Sequence, residues 1–382
     1  MSASPFAVTV VGAGIVGLAV AWRAAAAGLS VLVVDPSPGC GASRVSAGML
    51  APVTEARAAE APLTRLGLAS LRRWPGFAEG LAADAGLDGP AALGLRREGT
   101  LQVAFDADDL RALRELAAVH RLLDLDSELL SGRQCREVVP MLTPRVRGGL
   151  RVPGDWQVDP RLVVAALAVA VERRGGGLRA ERVAAVRCDP GGRVVGVELP
   201  DATLLRSEAA VLAAGASMGS IGGLPPSLRL PVRPVKGEVL RLRAAPGDEL
   251  LPLTVRGVVQ GRPLYLVPRQ DGEIVVGATM QEAGFDTSVR AGAMLELLRA
   301  AVDLVPALAE LPLEEATAGL RPATPDNGPL LGPAGPPGLH VAGGHFRHGV
   351  LLAPITADAV LAGMGAGDPP VEAAAFTPGR YS

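Results

Sequence analysis

Lysine is nearly absent from this chain: Lys236 stands alone, and arginine carries the rest of the positive charge. Cysteine and histidine are sparse, three and four among 382 residues, and aromatic residues make up 3%. Cys40, Cys135 and Cys188 are an odd number without a CxxC pair, which argues against a disulfide framework or a cysteine zinc site and fits a reducing compartment. A cytoplasmic location is the resulting expectation. A net charge of -2, with 20% charged residues, offers no basic surface for nucleic acid and no acidic tail. No Ser-His-Asp order, no cysteine nucleophile in a charged setting and no paired carboxylates stand out, so the sequence announces no nucleophilic or paired-carboxylate catalysis. Alanine, glycine and proline are abundant beside arginine, the mark of a GC-rich coding bias, so each arginine must be justified by its local setting.

At 382 residues the chain exceeds the size at which one core keeps growing, and two domains are expected. The uncharged run FAVTVVGAGIVGLAVAW, Phe6 to Trp22, has the length of a membrane span, but the preceding MSASP lacks the positive residues of a signal sequence. Its glycines have a better explanation. A β-branched run ends at Gly12-Ala-Gly14-Ile15-Val16-Gly17, helical periodicity continues to Ala27, Gly28 ends it, and SVLVVD closes a second strand on Asp35. In such a β-α-β unit Gly12 makes the tight turn, Gly14 lets backbone approach a pyrophosphate, and Gly17 lets helix and strand pack closely. The N–H groups of Ile15 and Val16 face the phosphates, and Asp35 grips ribose hydroxyls.

Residues 58–85 and 106–137 read as helical, and REGTLQVAF, Arg97 to Phe105, as a strand in a separate small sheet. Asp159 and Pro160 start a helix with an apolar face that runs to Gly175. LRAERVAAVRCD and RVVGVELP read as strands joined by a Gly-Gly turn, and AAVLAAGA as a strand ending at Gly215. LYLVPRQDGEIVVGATM is a hairpin turning at Asp271 and Gly272, and 290–310 is a helix. The chain then returns through GLRPATPDNGPLLG and GGHFRHGVLLAP.

In that last segment His345 and His348 are three apart. The other histidines are His120 and His340, and no acid lies between Val341 and Pro354, so a metal site is not expected. What remains is a helix N-terminus near Gly349, whose N–H groups at Val350 and Leu351 can face an electron-rich group. Arg321 and Arg347 have the planar guanidinium that grips a carboxylate at two points.

The blocks VGAGIVGLA, ASRVSAGML, YLVPRQDGEIVVGAT, GLRPATPDNGPLLG and GGHFRHGVLLAP resemble the D-amino-acid oxidase family of FAD-dependent oxidoreductases, and within it most the glycine-oxidising branch of the thiamine pathway. The resemblance spans nearly the whole chain. It implies an α/β fold: a Rossmann-like FAD-binding domain, residues 1–85, 146–226 and 326–382, interleaved with an α+β substrate domain on an antiparallel sheet, residues 86–145 and 227–325. It implies that Asp35, Pro36, Ala42, Ser43, Ala47, Gly48 and Met49 border the cofactor. Val183 then lies against the adenine, Gly215 near the cofactor, and His345, Phe346, Arg347, His348, Gly349, Val350 and Leu351 at the flavin. Arg321, Arg347 and Tyr265 then hold the substrate carboxylate, with Met49 beside the reacting centre. FAD is expected to be non-covalent, since residues 313–352 contain no cysteine. The implied reaction is oxidative deamination of glycine, or of sarcosine or small D-amino acids, with dioxygen as acceptor, a functional link to thiazole synthase and a homotetrameric assembly. A D-amino-acid dehydrogenase, a sarcosine oxidase-like enzyme and a flavin-binding protein without turnover are the alternatives. His348, where an asparagine is common, and Thr317, where a tryptophan is common, depart from the family pattern.

Overall fold

The structure, a computed structural model, describes residues 6–245, 247–259 and 261–381. The N-terminal unit consists of the strand Phe6–Val11, the helix Ile15–Ala26 and the strand Val31–Val34. Every residue of Val31–Val34 is buried, as expected of a parallel strand covered on both faces. Gly12 has φ 111°, and a Cβ there would collide with the carbonyl oxygen of Ala213, so the turn is open to glycine alone. A Cβ on Gly17 would strike the carbonyl of Gly12, which is how the helix comes to lie so close to its strand.

Around this unit an eight-stranded sheet runs, in spatial order, Leu330–Pro333, Leu339–Gly343, Leu204–Leu212, Phe6–Val11, Val31–Val34 and Gly177–Arg179, with the hairpin Ala185–Cys188 and Val194–Glu198 attached to Leu204–Leu212. All pairings from Leu339–Gly343 to Gly177–Arg179 are parallel. The helix Pro160–Arg173 packs on this lobe, capped by the Asp159 carboxylate accepting the Arg161 N–H at 2.8 Å.

A second eight-stranded sheet runs Leu313–Ala323, Arg233–Arg243, Glu273–Gly277, Arg262–Pro268, Thr254–Val259, Thr100–Ala104, Gly148–Val152 and Glu128–Ser131. Apolar alternation sends Leu240, Leu266 and Val276 to one face, where they pack on Leu297 and Leu304 of the helix Ala291–Leu304. The opposite face carries Val239, Val267 and Val275 against Ala47 of the first lobe. That contact brings this face of the second sheet to the loop that follows Asp35.

Three expectations are corrected. The helix expected over 106–137 is broken into Ala107–Leu122, the strand Glu128–Ser131 and Gly132–Val138. Asp124 turns the chain at φ 54°, and Ser131 and Gln134 cap a new helix reciprocally. The strand Thr100–Ala104 belongs to no separate small sheet but joins the second one, pairing parallel with Thr254–Val259 and burying Leu101 and Val103. The boundary expected at 146 also shifts, because Gly148–Val152 pairs with Thr100–Ala104 and Glu128–Ser131 in the second sheet. No helix among the described residues is long and apolar enough to cross a membrane.

Candidate active site

The glycine turn and the loop after Asp35 form one surface. One Asp35 carboxylate oxygen accepts the Ala13 N–H and the other the Ser37 N–H, both at 2.7 Å. Lone pairs remain on both for a ribose. The N–H of Ile15, expected to face phosphate, donates instead to Ser43 Oγ at 3.0 Å, because the short helical turn Ala42–Val45 brings that hydroxyl over the helix start. Val16 follows Ile15 in the first turn of the helix Ile15–Ala26, and Pro36 is exposed just beyond Asp35. Gly14 meets nothing but Ser43 Oγ, at 3.3 Å from where a Cβ would stand, and Gly215, at φ 54°, meets nothing within 4 Å. Val183 is buried with Val11 and Val34 at the strand ends. Open backbone at Gly14 and Gly215, a hydroxyl at Ser43 and an acid at Asp35 fit a dinucleotide cofactor such as FAD.

Downstream, the loop is fixed from the second sheet. Arg269, buried, donates to the carbonyls of Ala47 (2.6 Å) and Val158 (2.7 Å) and to Gln157 Oε1 (2.9 Å). Gly48, at φ 75°, passes so close to Val158 that a Cβ would overlap its carbonyl. Met49 pairs with Gln157 and packs with Val239, Tyr265 and Ala278.

On the facing sheet, register sets Thr317, Val239, Gly277, Tyr265 and Arg256 in one row across five strands. Tyr265 lies over Gly277, whose missing side chain leaves room for the phenol. Arg321 lies likewise over Gly237, and its Nη1 donates to the carbonyls of Thr279 (3.1 Å) and Lys236 (3.4 Å). Two glycines in neighbouring strands thus make a floor for two polar side chains. Beneath it, the fully buried Lys236 ammonium donates to the Ser288 carbonyl, 3.5 Å from both Glu238 and Asp286. Glu238 in turn accepts from Thr279 Oγ1 at 3.1 Å. Burial raises the Tyr265 pKa against the nearby Arg321 and Arg256, so the phenol stays a neutral donor.

Arg347 reaches the same region. The Phe346 N–H donates to the Pro322 carbonyl at 2.8 Å, and His345 bridges Ala323, so the two arginine segments run side by side. Phe346 takes φ 48°, and its ring lies 5.2 Å from the Arg347 guanidinium. Arg347 Nε stands 3.5 Å from Glu55 Oε2, and His348 Nε2 is 3.7 Å from the same oxygen. Glu55 is the residue that the sequence reading missed. Its Oε1 accepts from Arg256 at 2.9 Å, and Arg256 also reaches Thr54 Oγ1 at 3.2 Å. Burial pushes the Glu55 carboxyl up, but Arg256, His348 and Arg347 pull it down further, to about 2. Behind it, Asp155 accepts from the N–H groups of Val53 and Thr54 and from Thr54 Oγ1 (2.6 Å), and burial raises its pKa to about 6 despite those bonds. Buried polar atoms that make no hydrogen bond are Glu55 Oε2 and Arg347 Nε, held by their ion-pair contact, and Thr317 Oγ1.

Two expectations for this segment change. The side chain of His345 turns inward, Nε2 lying 2.9 Å from Thr356 Oγ1, and burial lowers its pKa to about 3, leaving it neutral. The helix begins at Ala353 rather than Gly349, because Leu352 N–H closes a turn onto the His348 carbonyl and Pro354 suits the first helical turn. The Leu351 carbonyl is held by Ser70 Oγ (2.6 Å) and Trp74 Nε1 (3.0 Å). The N–H groups of Gly349, Val350 and Leu351 find no acceptor among the described residues, so the expected donors are present, on a turn. Among the described residues no three His, Cys, Asp or Glu side chains are placed to hold a metal ion.

The family model for FAD dependent oxidoreductases (DAO) matches residues 7–362. Glycine oxidase of Geobacillus kaustophilus is 32% identical over 355 residues, 91% of this chain and 90% of that one. The bifunctional protein ThiO/ThiG of a Nostoc species is 32% identical over 358 residues, 92% of this chain; the chain spans 51% of that longer relative. Among solved structures, glycine oxidase from Geobacillus kaustophilus superposes with a TM-score of 0.89 at 31% identity, covering 98% of this chain and 99% of that one. With the family model and these relatives spanning both lobes, the chain belongs to the FAD-dependent oxidoreductase family.

Proposed function

We propose that this protein oxidises the amine of glycine, gripping the substrate carboxylate with Arg321, Arg347 and Tyr265. The observation that carries this reading is the placement of Arg321: one nitrogen is tied to two backbone carbonyls, and the rest of the guanidinium lies over Gly237, free to meet an anion. A relative named glycine oxidase, similar over nine-tenths of both chains, supports glycine as that anion.

Gly12, Gly14, Val16, Asp35, Ser43 and Gly215 are the residues that would hold FAD, and Gly349, Val350 and Leu351 would turn N–H groups towards its electron-rich end. When bound, FAD supplies the two-electron acceptor that no side chain here provides, passing the electrons to dioxygen as hydrogen peroxide. Arg321 and Arg347 fix the position of the amine carbon, Tyr265 donates its hydroxyl to the carboxylate, and Glu55 holds Arg347 between turnovers. Ala47, Met49 and Val239 keep water from the reacting carbon. The product imine hydrolyses to glyoxylate and ammonia, or enters thiazole assembly; relatives named bifunctional ThiO/ThiG and putative thiamine biosynthesis oxidoreductase support that second fate.

The test is the visible spectrum of the purified protein before and after glycine is added without oxygen. Bleaching of the oxidised flavin band, with glyoxylate and peroxide formed once air is admitted, is the expected result. A flavin band untouched by glycine but bleached by sarcosine or D-alanine reassigns the substrate, and one untouched by all three overturns amine oxidation.

A further inference from the structure

A second concentration of positive charge lies outside the cleft. At the end of the strand Thr100–Ala104, an open surface depression of about 570 Å³ is lined by Arg133, Arg136, Arg145 and Arg147, with Phe105 on its wall and Asp106 as the one acidic residue of the lining. None of these belongs to the cofactor surface or the carboxylate clamp. In a chain of net charge -2, four guanidinium groups against Asp106 in the lining and Glu137 beside Arg133 are a local excess, the Asp109 carboxylate being turned to the Phe105 and Asp106 N–H groups. Arginine is common in this sequence, so its number alone decides nothing; its placement does.

Arg133, Arg145 and Arg147 are exposed and Arg136 is half-buried, and their backbone stands on a fixed frame. Arg133 and Arg136 share a face of the helix Gly132–Val138, which begins so close to the Val146 carbonyl that a Cβ on Gly132 would overlap it. Arg145 and Arg147 flank the buried Val146, and the Arg147 N–H donates to the Ala104 carbonyl at 2.9 Å. The Arg145 guanidinium lies 4.3 Å from the centre of the Phe105 ring, which holds it against the wall of the depression. Arg133 shares its charge with Glu137 at 3.5 Å, whereas Arg136, Arg145 and Arg147 have no carboxylate partner within 4.0 Å among the described residues. The Asp106 Oδ1 caps the next helix, accepting the N–H groups of Asp108 and Asp109 at 2.9 Å.

We propose that this depression is a second binding site, for a compact anion carrying at least two phosphate or carboxylate groups. Its volume falls within the range of small-molecule sites, about 300–1,000 Å³. Planar guanidinium groups match such anions at two points each. A wall with one aromatic ring, already covered by Arg145, offers little to a nucleobase or an acyl chain, so charge rather than apolar surface selects the ligand. This inference is independent of what the flavin site oxidises.

The experiment is isothermal titration of the FAD-loaded protein with inorganic pyrophosphate at low ionic strength, repeated with citrate. Saturable one-to-one binding is expected, weakening as salt is added. The double variant R136S/R145S should bind at least about tenfold more weakly, and so should R147Q taken alone. Both variants should keep the flavin spectrum and the glycine response of the parent, which shows that they fold. Binding of pyrophosphate without citrate assigns the site to phosphates, and binding of both assigns it to polyanions of either kind. The proposal is overturned if neither anion binds saturably, if the arginine variants bind as tightly as the parent, or if R321A rather than R136S/R145S abolishes binding.

Discussion

Arg321 is oriented by what its neighbours lack as much as by what they offer. Gly237 leaves space for the guanidinium, and the Thr279 and Lys236 carbonyls hold one of its nitrogens. Replacing Arg321 by alanine removes charge-assisted hydrogen bonds to a substrate carboxylate, and KM for glycine should rise about 100-fold. Lysine there should restore only part of the loss, since an ammonium cannot bond at two points. Steady-state kinetics checks both, and an unchanged KM would remove Arg321 from the clamp. His345 makes a different prediction. Its folded pKa of about 3 lies below the unfolded value of about 6.5, so the unfolded chain binds the proton more readily. The stability it contributes is present above about pH 6.5 and is lost as pH falls towards about 3, with about 2 kcal/mol gone between about pH 7.5 and about pH 5. H345Q, which can keep a bond to Thr356, should show a flatter melting temperature over that range; identical profiles would mean that His345 is not buried neutral.

At the scale of elements, the turn from His348 to Leu352 stands where a helix start was expected, and its shape depends on the long helix Ala61–Ala85. Ser70 and Trp74 on that helix hold the Leu351 carbonyl inward, which leaves the neighbouring N–H groups facing outward. S70A should cost about 1 kcal/mol and weaken FAD retention while Trp74 keeps the other bond. Chemical denaturation and flavin release on dilution measure the two effects separately. The β-α-β unit was legible because its glycine spacing, apolar runs and terminal acid are all local, and the hairpin at Asp271-Gly272 for the same reason. The strand Glu128–Ser131 was not, because its residues belong to a sheet only through Gly148–Val152. Glu55 was invisible for a related reason. It is a lone acid in a loop, and its significance comes from Arg256, 201 positions away. Of the expected site, Arg321 and Tyr265 lie on one face of the sheet and Arg347 is linked to that row through Glu55 and Arg256, whereas the inward turn of His345 is set by Thr356, a contact that no spacing announces.

Across the whole molecule, the two sheets are joined by buried polar contacts as well as by apolar packing. Arg269, from the second sheet, ends in the first lobe on three acceptors, and Arg161 of the first lobe meets Glu315 of the second through two bonds of 2.8 Å. R269M would leave the Ala47 and Val158 carbonyls and Gln157 Oε1 unsatisfied and should cost about 3 kcal/mol or more. The parent should melt in one calorimetric transition; two well-separated transitions in the parent would show that these contacts do not couple the lobes. Lys236 has a consequence of another kind. It is the only lysine in the chain, and it is fully enclosed behind the Arg321 floor. Among the described residues the folded surface therefore presents no side-chain primary amine, so acylation of Lys236 by an amine-reactive dye would report local opening around the Arg321 floor rather than surface chemistry.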